Sequence, residues 1–140
     1  MPAQDNTTLA QAIYQAFNDN DLDAALAYVA ADIELVLMPF DQHFYGLEGF
    51  RDFMQGFKLA FPDCTVNLIN QVATENGVVN EFMARGTHTG PLSGPNGQVP
   101  ATGRNINYPV CEVWEIKDGK LTKLRNYFDT GTLRQQLGLS

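Results

Sequence analysis

Two dipeptides, Asn76-Gly77 and Asp118-Gly119, constrain this chain more than any other feature. Each stands between runs in which apolar and polar residues alternate, and an Asx-Gly pair suits the two positive φ values of a type I′ hairpin turn. Val66, Leu68 and Val72 alternate with Thr65, Asn67 and Gln71, which predicts a half-buried strand leading into the first turn. The returning strand is expected over 78–88, a long strand over 105–116, and a last strand over 120–128. Residues 90–103 are rich in Gly and Pro and read as a loop. An antiparallel meander follows. In direct register across Asp118-Gly119, Arg125 faces Glu112, Tyr127 faces Val110 and Asp129 faces Tyr108. That register predicts a Glu112–Arg125 ion pair, which a bulge would displace.

The first half of the chain has the other period. Leu9, Ala12, Ile13, Ala16 and Phe17 form one helical stripe, predicting a helix over 8–18. Asp21 is a good N-cap for a second helix that buries Leu22, Ala25, Leu26 and Val29. A short strand over 33–37 and a loop over 38–46 precede a third helix over 47–60, which carries Phe50, Phe53, Met54 and Phe57. Phe61 and Pro62 close it. Helices first and strands after predict an α+β fold rather than a doubly wound parallel sheet.

The 140 residues suit a single domain, 1–140, large enough for a proper core. A net charge of −7, with nine scattered Lys and Arg, argues against nucleic acid and against anionic membranes as partners. No apolar run is long enough to span a bilayer, and the polar start MPAQDNTT does not read as a signal peptide. Cys64 and Cys111 lack zinc-like spacing and read as free thiols of a cytoplasmic protein. With only His43 and His88 available, no metal site is expected.

Several residues could carry chemistry. Asp129, beside Tyr127 and Phe128, ends the last strand before a short helix expected over 132–137. Desolvated there, its carboxylate would suit proton transfer near neutrality; the alternatives are a helix cap or a pair with Arg125. His88, where a strand enters the loop, could serve as acid, base or oxyanion donor, or as a hydrogen-bonded strand-end histidine. Tyr14 could point its hydroxyl into a cavity or serve as amphipathic packing. The Asp41-x-His43 pair is weak evidence for a dyad or metal, and Gly90–Gly97 lacks the features of a phosphate cradle. The Phe residues of the third helix belong to the core, and such aromatic walls suit an apolar, roughly planar ligand.

Gly86-Thr87-His88-Thr89-Gly90 followed by Pro100-Ala101-Thr102-Gly103-Arg104 resembles the "GTHxG … PxTGR" signature of SnoaL-like proteins, the polyketide and ester cyclase group. Asp129 through Gly138 resembles the group's closing "D … QLG". The resemblance spans essentially the whole chain. It implies an NTF2-like, cone-shaped α+β barrel, with three N-terminal helices packed on a curled antiparallel sheet. It also implies a cofactor-independent enzyme performing aldol cyclisation, or a related isomerisation or hydration, on an apolar carbonyl-bearing small molecule such as a polyketide. By motif the closing aspartate's acid/base role falls on Asp129, and assistance at the carbonyl oxygen on His88. Tyr14, Phe53, Trp114 and Tyr127 would shape the pocket, and a homodimer through the sheet follows by analogy. Tyr14 also matches the helix-one tyrosine of ketosteroid isomerases, but Met38 and Cys111 stand where their aspartates fall, which argues against that reaction. Two alternatives remain open: a non-catalytic small-molecule-binding or dimeric accessory module, and an epoxide or ester hydrolase, whose Asp-Arg-Asp set Asp129 and Arg125 half supply.

Overall fold

The computed structural model describes residues 2–95 and 97–139. Its elements run α1 (Ala3–Asn18), α2 (Leu22–Leu26), β1 (Val29–Leu37), a 3-10 turn (Met38–Phe40), β2 (Gln42–Tyr45), α3 (Gly46–Ala60), β3 (Thr65–Thr74), β4 (Gly77–Thr87), β5 (Leu92–Gly94), β6 (Gly97–Val99), β7 (Asn105–Lys117), β8 (Lys120–Phe128) and α4 (Thr130–Gln136). Six strands form the main sheet in the order β2-β1-β8-β7-β4-β3, and β5 and β6 form a separate ribbon.

The expected cone-shaped barrel with three N-terminal helices needs correction. The sheet is open and uncurled, since its order ends at β2 and β3 and no ladder joins those edges. It is mixed, because β1 runs parallel to β8 while the other neighbours are antiparallel. The helices number four among the described residues and are dispersed: β1 and β2 intervene before α3, and α4 closes the chain. Part of the region read as loop over 38–46 is β2, an edge strand whose residues do not alternate polar and apolar and which is too short to announce itself.

The apolar stripes behave as their periods demand. Leu9, Ile13, Tyr14 and Phe17 of α1 are buried, as are Phe50 and Met54 of α3. The α1 helix begins earlier than its apolar stripe, at Ala3, while the Asp21 carboxylate accepts from the Ala24 N–H and starts α2. Val29, expected in the second helix, belongs to β1. On β7 the even positions from Ile106 to Ile116 are buried beneath the helices, and the odd positions face outward.

The two hairpins differ from one another. Asp118 and Gly119 have φ of 53° and 73°, as a type I′ turn requires. The first turn instead sits one residue early, at Glu75 and Asn76, because Thr74 pairs directly with Gly77. Two contacts account for the shift. A Cβ on Gly77 would lie 2.0 Å from the Trp114 carbonyl, so this glycine permits close strand approach. Buried Asn6 of α1 donates to the carbonyls of Thr74 and Glu75 at 2.8 and 3.2 Å, which holds the turn in place.

The predicted register across β7 and β8 is also corrected. Lys117 pairs with Lys120 and Ile116 with Leu121, but a bulge follows and Glu115 pairs with Lys123. Beyond it Glu112 faces Asn126, Val113 faces Arg125 and Cys111 faces Tyr127. One extra residue therefore exchanges the two faces of the last strand. Arg125 pairs with Glu115 at 2.5 Å instead of Glu112.

Candidate functional site

The bulge determines which polar groups enter the core. Asn80 of β4, Glu112 of β7 and Asn126 of β8 are direct cross-strand neighbours, and all three are buried. Above them α1 lays Tyr14 against Phe82 and Trp114, with ring centroids 5.3 and 5.0 Å away. Glu112 and Asn126 of this row border a largely apolar cavity of about 70 Å³, walled by Ile13, Phe17, Phe50, Phe53, Met54, Phe57, Phe82 and Leu124 among others. Phe53, Phe57, Thr65 and Val66 are its partly exposed lining residues, so the cavity meets solvent between α3 and the start of β3.

Glu112 is the chemical centre of this arrangement. Its Oε1 accepts from the Tyr14 hydroxyl at 2.5 Å and from Trp114 Nε1 at 3.2 Å. Its Oε2 accepts from Asn126 Nδ2 at 2.7 Å. Burial pushes its pKa up, against the downward pull of Tyr14, Asn126 and Trp114. Burial and the adjacent carboxylate hold the Tyr14 phenol well above its ordinary value, so Tyr14 remains a donor. A carboxyl group whose neutral form is favoured, yet whose anion has three donors, can hold or release a proton at modest cost.

The six residues singled out from sequence divide between this cavity and the rest of the molecule. Tyr14, Phe53 and Trp114 line it together. Tyr127 is exposed on the opposite sheet face, where it borders a cleft of about 360 Å³ with Cys111, Glu81 and Asp129. Asp129 is exposed and caps α4, accepting from the Gly131 N–H at 3.0 Å and the Thr132 hydroxyl at 2.9 Å. The Thr132 hydroxyl and the Gly131 amide hold its carboxyl below the ordinary range.

His88 is fully buried, packed against Phe61 at 5.2 Å, and is not among the cavity's walls. Its Nδ1 accepts from the Thr102 N–H at 3.2 Å and lies 2.9 Å from the Thr102 hydroxyl. Its backbone N–H donates to Arg104, and its carbonyl accepts from Gly103. The two signature segments thus meet as a structural clasp, with Nδ1 as acceptor and the ring neutral. Burial pushes the imidazole pKa down, offset in part by the Gly90 backbone.

His43 lies at the surface, bonded to Glu34 at 2.8 Å and Asp41 at 2.9 Å, and these two carboxylates raise its pKa. Among the described residues no group of three His, Cys, Asp or Glu side chains is arranged to hold a metal ion. Both cysteines are free, and burial pushes the Cys64 thiol up to about 11. No helix of the described residues is long and apolar enough to cross a membrane.

The model of the SnoaL-like polyketide cyclase family matches residues 7–137. The chain belongs to this family. A solved candidate polyketide cyclase from Xanthomonas campestris pv. campestris is 26% identical over 96% of this chain and 98% of its own, with a TM-score of 0.82. A candidate polyketide cyclase from Pseudomonas putida KT2440 is 25% identical over 97% and 98%, with a TM-score of 0.75. A candidate SnoaL-like polyketide cyclase from Jannaschia sp. CCS1, 18% identical over 99% and 94%, shares the fold at a TM-score of 0.87. No curated protein matches the chain.

Glu112 and Asn126 are the site residues that the sequence motifs passed over. One signal was present: Glu112 occupies the buried phase of Ile106, Tyr108, Val110, Glu112, Trp114 and Ile116. A charged residue in the apolar phase of a strand asks for an explanation. The expected Arg125 partner supplied the wrong one.

Proposed function

We propose that this SnoaL-like protein is an acid/base enzyme acting on an apolar, carbonyl-bearing small molecule, with Glu112 as the proton-transfer group. The observation that carries this reading is a buried carboxylate with a raised pKa in the wall of an aromatic cavity. Tyr14 and Trp114 occupy Oε1, so Oε2 is the oxygen that takes a proton. In the first step a C–H bond beside the substrate carbonyl breaks. Its proton passes to Oε2, and its electron pair moves onto the carbonyl oxygen as an enolate. Return of the proton to carbon gives isomerisation; attack of the enolate on a second carbonyl of the same molecule gives aldol ring closure, with the proton passing to the new alkoxide. The cavity is smaller than the roughly 150 Å³ that holds benzene in an engineered core. A polycyclic substrate therefore requires Phe53 and Phe57 to swing outward.

The test needs no natural substrate. Cyclohexanone and 1-tetralone incubated with the protein in deuterated water should exchange their α-hydrogens faster than in buffer. Glu112→Gln should abolish that excess, and Asp129→Asn should retain it. Exchange no faster than buffer, or unchanged in Glu112→Gln, would contradict the proposal.

The second reading gives proton transfer to Asp129, and the outer cleft it borders with Tyr127 and Cys111 favours it. Loss of exchange in Asp129→Asn alone would select that reading. The same outer face exposes Ile69, Val72 and Tyr127, which supports a homodimer through the sheet. Sedimentation at monomer mass across the micromolar range would rule the dimer out. The two free thiols support a reducing, cytoplasmic setting.

A further inference from the structure

Asn126 has one end of its amide engaged and the other left over. Its Nδ2 donates to Glu112 Oε2, whereas its Oδ1 is buried with no partner among the described residues. The residue is 6% exposed and lines the cavity. An amide oxygen buried without a donor is costly, and native structures rarely leave one so. The carboxylate explains the orientation: an ionised Oε2 can only accept, so it takes the amide's NH₂ end. Protonation reverses this logic. Because Tyr14 and Trp114 already donate to Oε1, a proton on Glu112 sits on Oε2, opposite the Asn126 NH₂. Two donors then face each other. Turning the amide over relieves the conflict: Oδ1 accepts from the new Oε2–H, and the NH₂ group takes the place of the unpartnered oxygen.

We propose that Asn126 is a proton-coupled amide switch that sets which ligand atom the cavity accepts. While Glu112 is ionised, the free Oδ1 selects a hydrogen-bond donor, such as the hydroxyl of a phenol or enol. Once Glu112 carries a proton, the NH₂ selects an acceptor, such as a carbonyl or enolate oxygen. The use of this switch in turnover rests on the proposed role of Glu112. There, the proton taken from carbon brings the amide donors round to the oxygen that has just gained the electron pair. The ligand preference itself needs no turnover. The other titratable groups near Glu112 are Tyr14 of α1 and Tyr108 and Cys111 of β7. All three are held above their ordinary values, so they stay protonated while Glu112 titrates. On the cavity side α3 presents only apolar side chains, among them Phe50 and Met54, and β8 adds Leu124.

Glu112→Gln fixes the protonated pattern, since its Oε1 serves Tyr14 and Trp114 while its NH₂ faces Asn126. Dissociation constants for phenol and cyclohexanone would be measured by NMR titration above the Glu112 transition, in wild type, Glu112→Gln, Asn126→Leu and the double variant. Wild type should favour phenol, and Glu112→Gln should move the ratio toward cyclohexanone by about tenfold or more. In the Asn126→Leu background the same substitution should leave the ratio within about twofold. No movement in Glu112→Gln, or a movement that survives in the double variant, would overturn the switch. Wild type alone provides a second measurement if a variant does not fold. The Asn126 side-chain amide resonances should shift with the same midpoint as the Glu112 carboxyl carbon; resonances indifferent to that titration would overturn the proposal. Failure of the ketone-exchange test leaves these binding ratios untouched, so the two ideas fail separately.

Discussion

Glu112 and Asp129 carry the same functional group in opposite surroundings. Glu112 is buried beneath α1, receives donors from Tyr14, Trp114 and Asn126, and still has its pKa raised by burial. Asp129 is exposed at the start of α4, receives the Gly131 amide and Thr132 hydroxyl, and has its pKa lowered. Hydrogen bonds favour the anion at both places, so desolvation decides the difference. A carboxylate held low and in water is a good cap and a poor base. One held high in an apolar wall is the stronger base.

Substitutions at the two carboxylates should separate their roles. The largest effect is on turnover: Glu112→Gln should lower α-hydrogen exchange by about 10²- to 10⁴-fold, the range for a lost general base, whereas Asp129→Asn should change it no more than a few-fold. Equal losses would erase the distinction. Next, Tyr14→Phe removes a hydrogen bond to a charged acceptor, worth about 1.5–3 kcal/mol to the ionised carboxylate. It should raise the Glu112 pKa further, since Tyr14 now pulls it down. A carboxyl carbon titration of this variant checks the sign.

Stability should respond in the opposite sense to activity. A carboxyl whose folded pKa is raised binds more protons folded than unfolded, so its burial destabilises the fold as pH rises above the ordinary value of 4.5. Glu112→Gln should therefore melt a few degrees higher than wild type at neutral pH, and the gap should close on acidification. Thermal melts across pH report this directly, and a lower melting temperature at neutral pH would count against a strained carboxylate. His88 supplies a contrasting limb. Its folded pKa is depressed, so the unfolded chain binds more protons just below 6.5 and stability falls as pH drops through that window. Melts of His88→Gln should lack that limb. The smallest effect belongs to Asp129→Asn. Its carboxylate stabilises the fold above about 3.8, and this is lost as pH falls through the lower folded value. The variant should show a slight loss of melting temperature at neutral pH that vanishes in strong acid.

What was legible in the sequence follows the range of the interactions involved. The stripes of α1 and α3, the Asp21 cap, the Asp118-Gly119 turn and the bounds of β8 rest on neighbours within a few residues, and all stand in the structure. The second stripe does not, since α2 stops at Leu26 and Val29 lies on β1. Features set by distant partners did not show. The first hairpin turn is displaced by Asn6 and by the Trp114 carbonyl, both far away along the chain. The parallel pairing of β1 with β8 joins the two halves of the protein and leaves no local mark. The bulge between β7 and β8 had the greatest consequence. A single extra residue turns Asn126 to the face of Glu112 and Arg125 to the other, and so replaces the expected Glu112–Arg125 ion pair with a buried polar row. The family motifs pointed to His88 and Asp129, whose neighbours in this fold are a loop clasp and a helix start.

The most direct test of the account is a carbon-13 NMR titration of the Glu112 and Asp129 carboxyls, with and without cyclohexanone. Glu112 should titrate above 4.5 and Asp129 below 3.8, and the ketone should move only the Glu112 signal. If Glu112 titrates at or below its ordinary value, or the ketone shifts Asp129 and leaves Glu112 unmoved, the cavity is not the acid/base site.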